Sequence, residues 1–337
     1  MNKSSRRNFL KTTSIVSAGI SMMGTSAFAS NGKYVAEGDK AVGIVGMDTS
    51  HSPALAKSFN NSVNGYRVTT AFTTVSHDLP SSADRVEKFT KQISDMGVEI
   101  VPTLEMLLSK VDYVLLCTVD GRRHLEQAEI IFKAGKRVFI DKPLAASLED
   151  VIAIFKLSKK YDVPTFSSSA VRFMQQAQEI RNGSIGLVQG AETYAPIKYE
   201  PTHPELYWYG IHGVELLFTI MKSGCVRVKR FTTEKFDMIT GDWGEGRIGT
   251  FRGIKGKMHD YGGHAFGDKG ISDLGKFKDY ELMFQAILHY FNTGEMPVQE
   301  QETVEIFAFM EAAQESERQG GDWVEIKDVL AGVGHKK

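Results

Sequence analysis

The chain has 337 residues, and its 40 lysines and arginines nearly balance 41 aspartates and glutamates, for a formal charge of −1. That balance, with no basic run, argues against nucleic-acid binding and against attraction to anionic membranes. Only Cys117 and Cys225 occur, and nothing around them suggests a zinc knuckle or a cysteine nucleophile. Cys117 lies inside the apolar run VDYVLLC and reads as a core residue.

Residues 1–29 read as an address rather than as structure. Arg6-Arg7, followed by Asn8, Phe9, Leu10 and Lys11, leads into a weakly apolar run, and Ala27-Phe28-Ala29 is a small-x-small cleavage site. The apolar run is shorter than the ~20 residues of a spanning helix. A twin-arginine export signal cleaved near Ala29 is therefore expected. The mature protein would be periplasmic or otherwise exported, with no stable membrane anchor. Cleavage removes Lys3, Arg6, Arg7 and Lys11 and no acid, so the net charge moves from −1 to −5.

From residue 38 to 168 apolar runs of strand length alternate with amphipathic, helix-length segments. KAVGIVGM, YRVTTAFTT, VEIV, VDYVLLCTV, RVFIDKP and VPTFSSS read as strands. Between them SPALAKSFNN, SADRVEKFTKQISDMG, TLEMLLSK (capped by Thr103), RRHLEQAEIIFKAG and SLEDVIAIFKLSKKYD read as helices. This alternation predicts an α/β, Rossmann-like doubly wound parallel sheet. Over 169–330 the pattern changes to β-rich runs such as LVQGAETYAP, CVRVKRFTTEKF and RIGTFRGI, with a helix starting in YWYGIHGVELLFTIM and two helices near the end. It predicts a C-terminal α+β domain with a largely antiparallel sheet, carrying substrate binding and oligomerisation.

The turn after the first strand, GIVGMDTSHS, departs from the dinucleotide fingerprint G-x-G-x-x-G. Gly46 can make the tight turn, but Asp48 stands at the glycine that approaches the pyrophosphate and His51 at the one that packs helix on strand. A carboxylate ~4 Å from a phosphate charge costs ~4 kcal/mol at an effective dielectric near 20. Either Asp48 points away or caps the helix with Ser50 assisting, or the pocket holds a different ligand with Asp48, His51 and His124 as polar contacts. The acid expected after the second strand, to hold a ribose, is also missing from TTAFTTVSHDLP.

LLCTVDGRRHLEQAEIIFKAGKRVFIDKPLAASLEDV (115–151) and the late EIFAFMEAAQESERQGG resemble the glucose–fructose oxidoreductase and inositol dehydrogenase family, Gfo/Idh/MocA. The family pattern T-P-x-x-x-H, A-G-K-x-V and E-K-P-L-A appears as Thr118, Val119 and His124, then Ala134-Gly135-Lys136, then Asp141-Lys142-Pro143-Leu144-Ala145. The resemblance implies NAD or NADP, here held tightly, on the first domain, with Gly46, Asp48, Ser50, His51, Thr118, His124, Asp141 and Lys142 around it. It also implies a sugar or cyclitol over the second domain and a homo-oligomer formed through the open face of that domain's sheet. Lys142, at the carboxyl end of a parallel strand, would polarise a substrate oxygen, with Asp141 to orient it. The proline after it is cis in many relatives.

The family's D-x-x-x-H signature appears as Trp208-Tyr209-Gly210-Ile211-His212, which makes His212 the acid/base histidine and puts tryptophan where the aspartate stands. Trp208 and Tyr209 are candidate substrate contacts, since a flat ring packs on the C–H face of a pyranose. Arg172 is a third. His212 and Glu215 lie about one helical turn apart and raise a metal site together with His203, His259 or His264, but without a recognised ligand spacing no metal is expected. The resemblance implies hydride transfer on a sugar, glycoside or cyclitol. A redox-neutral lyase, hydrolase or isomerase on a degenerate Rossmann domain, or a noncatalytic carbohydrate-binding protein, are the alternatives.

Overall fold

A computed structural model describes residues 40–61 and 64–333, so the expected export signal lies outside the described residues. KAVGIV forms β1 (Lys40–Val45), whose last four residues are all buried, as a strand covered on both faces requires. It is followed by β2 (Tyr66–Phe72), β3 (Glu99–Ile100), β4 (Tyr113–Leu116), β5 (Arg137–Asp141) and β6 (Thr165–Ser168). All pair in parallel in the order β3-β2-β1-β4-β5-β6. The order reverses between β1 and β4, and ligands of open α/β sheets bind at the carboxyl ends of the strands there.

Local chemistry sets the helix ends. Thr103 Oγ1 accepts from the N–H of Met106, and Ser147 Oγ accepts from that of Asp150. The expected single helix over SADRVEKFTKQISDMG is instead broken into Pro80–Ala83 and Val86–Asp95. Ser82 turns inward there, fully buried, and the break lets the segment fold toward the sheet's carboxyl edge.

The second sheet comprises β7 (Val188–Pro196), β8 (Arg227–Thr232), β9 (Phe236–Asp242), β10 (Ile248–Ile254), β11 (Gly262–Gly267), β12 (Gly270–Asp273) and β13 (Val324–Glu325). Its order is β12-β11-β7-β10-β9-β8-β13, antiparallel except where β7 meets β10. MHDYGGHAFG, which reads as loop in the sequence, supplies β11; its Gly-Gly opening hides the alternation of a strand.

The helix Gly210–Met221 packs against β7 and β10, and all its residues are buried. Gly213 makes that approach possible, because a Cβ there would lie 2.1 Å from the Phe251 ring. The helix Glu300–Arg318 lies against β8 and against the helix Leu148–Lys160.

The helix Glu281–Thr293 returns to the first sheet. Phe284, Ile287, Tyr290 and Phe291 join Val42, Ile44, Phe59 and Tyr66 in one apolar cluster. Tyr66 Oη donates to Asn292 Oδ1 at 2.9 Å, and Arg137 Nη1 donates to the Phe291 carbonyl at 2.7 Å. Residues more than 200 positions later in the chain thus complete the core of the first sheet. No helix of the described residues is long and apolar enough to cross a membrane.

Candidate active site

The turn after β1 keeps the first job of the fingerprint. Gly46 has φ 92°, and a Cβ on it would fall 2.3 Å from the Thr118 amide nitrogen, so only glycine fits. Asp48 neither points away nor caps the helix His51–Asn61. It is fully buried, and its carboxylate accepts from the Val119 N–H at 3.0 Å and from Ser82 Oγ at 2.6 Å. Burial raises its carboxyl above the usual range against both hydrogen bonds. Leu79, also fully buried, joins Val119 and Trp208 in a small cluster on the same side. The carboxyl edge of the sheet is therefore covered here by the chain itself.

His51 does not pack as a glycine substitute between helix and strand. Its Nδ1 lies 2.6 Å from Asp141 Oδ2, and a carboxylate can only accept, so Nδ1 carries a proton. Burial would raise Asp141, but His51 and then Lys142 hold its carboxyl below the usual range. Asp141, expected to orient Lys142, is thus bound to His51. Lys142 follows at the end of β5, half-buried, and its bond to Pro143 is cis.

His212 faces this pair from the second half. Its Nδ1 lies 2.6 Å from Ser169 Oγ, and the Ser169 N–H and the Ser168 hydroxyl donate to Glu215 at 2.7 and 2.6 Å. Burial, then the charges of Lys142, His51 and His259, push the His212 imidazole well below the ordinary histidine range. Burial thus favours its neutral form, and with Nδ1 engaged by the Ser169 hydroxyl, Nε2 is the nitrogen that the serine does not bind.

Aromatic rings run from one histidine to the other. His212, Tyr261, Phe277, Tyr280 and His51 follow one another at centroid separations of 5.6, 6.1, 5.5 and 5.0 Å. Tyr209 packs edge-on to His212, and Tyr280 hydrogen-bonds Ser50. A wall of ring faces and phenolic hydroxyls suits a polyol with one C–H face. Sequence reasoning missed Ser169, Tyr261 and Tyr280. Ser169 ends a serine run and Tyr280 precedes a helix, so neither position carries a spacing signal.

Three expected contacts lie elsewhere. Arg172 is in the core, its Nε donating to Glu215 and its Nη2 to Glu302 at 2.7 and 2.6 Å, with Arg181 on the other oxygen of Glu302. His124 is fully buried between the carbonyls of Thr118 and Leu144 at 2.7 and 3.1 Å, where it ties the β4 loop to the segment after β5. Burial lowers its pKa. Trp208 packs on Leu79 and Val119 and 5.0 Å from the His203 ring, so its surface is engaged within the protein. Glu215 is committed to Arg172, Ser168 and Ser169, and His264 pairs with Glu192. No cluster of three potential metal ligands occurs among the described residues.

A dinucleotide fits part of this cleft. Thr118 Oγ1 and Asp141 Oδ1, at the carboxyl ends of adjacent strands, are buried without a hydrogen-bond partner and can receive a ligand's polar groups. The pyrophosphate corner does not fit while the Asp48 carboxylate and Ser82 fill it.

Strand order and the Gly46 turn define a Rossmann-type first sheet, with Lys142 following β5 at its carboxyl edge. Residues 19–168 match the model of GFO_IDH_MocA, described as an oxidoreductase family with an NAD-binding Rossmann fold. That stretch is thus similar to the Gfo/Idh/MocA oxidoreductases and their NAD-binding Rossmann fold. None of the curated proteins matches the chain.

Among solved structures, scyllo-inositol dehydrogenase from Lactobacillus casei, with bound NAD(H) and scyllo-inositol, is 14% identical with a TM-score of 0.70, covering 86% of this chain and 99% of that one. Myo-inositol 2-dehydrogenase from Lactobacillus plantarum is 15% identical at 0.70, covering 85% and 99%. An oxidoreductase from Agrobacterium radiobacter, in complex with NAD+, L-tartaric acid and magnesium, is 14% identical at 0.68, covering 87% and 100%. At these identities the likeness is one of fold.

Proposed function

We propose that the protein is an exported oxidoreductase acting on a sugar, glycoside or cyclitol, with a nicotinamide dinucleotide that it retains. The observation that carries this reading is His212, a neutral, Ser169-held imidazole placed with Lys142 and His51 beside a wall of tyrosines. His212 takes the proton of a substrate hydroxyl at Nε2. The Lys142 ammonium steers the oxygen that loses it, and Tyr209 and Tyr261 flank the ring. The nicotinamide supplies the hydride acceptor.

Export favours a retained cofactor, because the periplasm offers no pool of free dinucleotide. A retained cofactor must be restored within the catalytic cycle, so ping-pong kinetics or a redox-neutral net reaction follows. The second sheet alternates buried and open positions, leaving Phe231 and Ile271 at 68% and 70% exposure, which supports association of copies through that face.

The deciding experiment is mass spectrometry of the ligands released when protein purified after native export is denatured. Nicotinamide dinucleotide at near one per chain is expected, and Lys142→Ala and His212→Ala should abolish turnover of a sugar and cyclitol panel. Protein that turns over its substrate with no nicotinamide present overturns the reading. The filled corner around Asp48 favours, as a second reading, a redox-neutral enzyme on the same site, and that outcome would establish it.

A further inference from the structure

The segment between β2 and the helix Val86–Asp95 is a surface connection, with His77, Asp78, Pro80, Asp84 and Arg85 exposed, that nevertheless turns three residues inward. Ser76, Leu79 and Ser82 are buried, and Ser82 Oγ accepts from the Ser76 N–H at 3.1 Å, closing the segment on itself. Three further ties fix it to the sheet's carboxyl edge. Ser82 Oγ donates to Asp48 at 2.6 Å, Ser76 Oγ donates to Asp120 at 2.6 Å, and Arg122 binds both Asp78 and Asp120. Leu79 adds an apolar contact with Val119 after β4 and with Trp208 of the second half.

Asp48, Val119 and the β1 turn mark the place where a Rossmann sheet receives a pyrophosphate through backbone N–H groups. The Val119 N–H is already donated to Asp48, whose carboxyl group takes up that spot. A dinucleotide laid in the cleft as the chain now stands meets Ser82, Leu79 and a carboxylate. The unpartnered Thr118 Oγ1 and Asp141 Oδ1 lie after adjacent strands, where a ligand's polar groups can pair with them.

We propose that residues 76–85 are a strap that occupies the dinucleotide cleft from within, with Asp48 as its latch and as the residue that discriminates against free dinucleotide. This rests on the nicotinamide reading given above. The cofactor enters only the strap-open form, so its apparent affinity is reduced by the fraction of molecules that are open. Asp48, held by the strap through Ser82, takes the Val119 N–H, and the strap competes with the pyrophosphate for space.

The test uses the mature protein stripped of ligand, with NADH and NADPH as probes. Binding is followed by nicotinamide fluorescence and hydrogen exchange of residues 76–85 by mass spectrometry. For Asp48→Asn and Leu79→Ala, NADH affinity should rise at least ten-fold over wild type. In wild type, saturating NADH should raise exchange in 76–85 while lowering it at the start of the helix His51–Asn61. The exchange measurement stands even if a variant fails to fold. Equal affinity in wild type and folded variants, with 76–85 equally protected when bound, overturns the strap and leaves the nicotinamide reading intact. Failure of wild type and both folded variants to bind either probe overturns the nicotinamide reading, and the strap's role as a gate falls with it.

Discussion

His51 and Asp141, ninety positions apart in sequence, meet through Nδ1 and Oδ2 at 2.6 Å across the ends of β1 and β5. The carboxylate keeps a proton on Nδ1 of the imidazole. Asp141→Asn replaces an acceptor with a group that can donate to Nδ1, which reverses the tautomer. If His51 moves a proton, Asp141→Asn and His51→Gln should each lower kcat by roughly 10²-fold or more. Imidazole ¹⁵N shifts should show the proton leaving Nδ1 in Asp141→Asn. A full kcat in the Asn variant with the tautomer reversed would exclude His51 from proton transfer.

Ser169 acts through His212 and is a positioning residue. Ser169→Ala removes the partner of Nδ1 while leaving the Glu215–Ser168 contact in place. A kcat loss of about ten- to a hundred-fold with little change in KM is expected, together with a displaced acidic limb of the pH–rate profile. Ser169→Thr keeps the hydroxyl and should recover most of the rate. An unchanged pH profile in Ser169→Ala would reduce the serine to packing.

Arg172 sits between two buried carboxylates, and truncating it strands both. Arg172→Met should destabilise the fold by about 3–5 kcal/mol, the usual cost of breaking a buried pair from one side. Urea denaturation measures this directly. A loss below about 1 kcal/mol would show that Arg181 and the serines compensate for it.

His124 and His212 both titrate below the ordinary histidine value in the folded protein, because burial disfavours their charged forms. In the unfolded chain they take up protons near pH 6.5. Between the folded and unfolded values the unfolded state binds more protons, so stability falls as pH falls below about 6.5 and is fully present above it. Each histidine contributes a slope of about 1.4 kcal/mol per pH unit in that window. Urea titrations from pH 7.5 to 5.5 should show it, and His124→Gln should lessen it by one proton. An identical slope in the variant would mean that His124 is already protonated in the fold.

The parallel first sheet and the largely antiparallel second one were legible in the sequence, because parallel strands are nearly continuous apolar runs and antiparallel ones alternate. β11 was hidden because Gly262-Gly263 carries no side-chain alternation to read. The environment of Asp48 was hidden for another reason. Its partners, Ser82 and Val119, lie 34 and 71 residues away, and only folding shows that a charge in the phosphate corner is satisfied internally. The partners of Arg172 and His124 were hidden by the same limit. A polar residue beside a site motif looks the same in sequence whether it faces the cleft or is paired behind it.

The return of the helix Glu281–Thr293 to the first sheet sets an order of events during synthesis. Tyr66 and Phe59 emerge from the ribosome early, yet Phe284 and Phe291 come more than 200 residues later. At about 5–20 residues per second, the nascent Rossmann half waits on the order of ten seconds or more with an apolar face uncovered. It is exposed to chaperones for that interval, and a chain truncated before residue 281 should remain bound to them rather than fold as an independent domain.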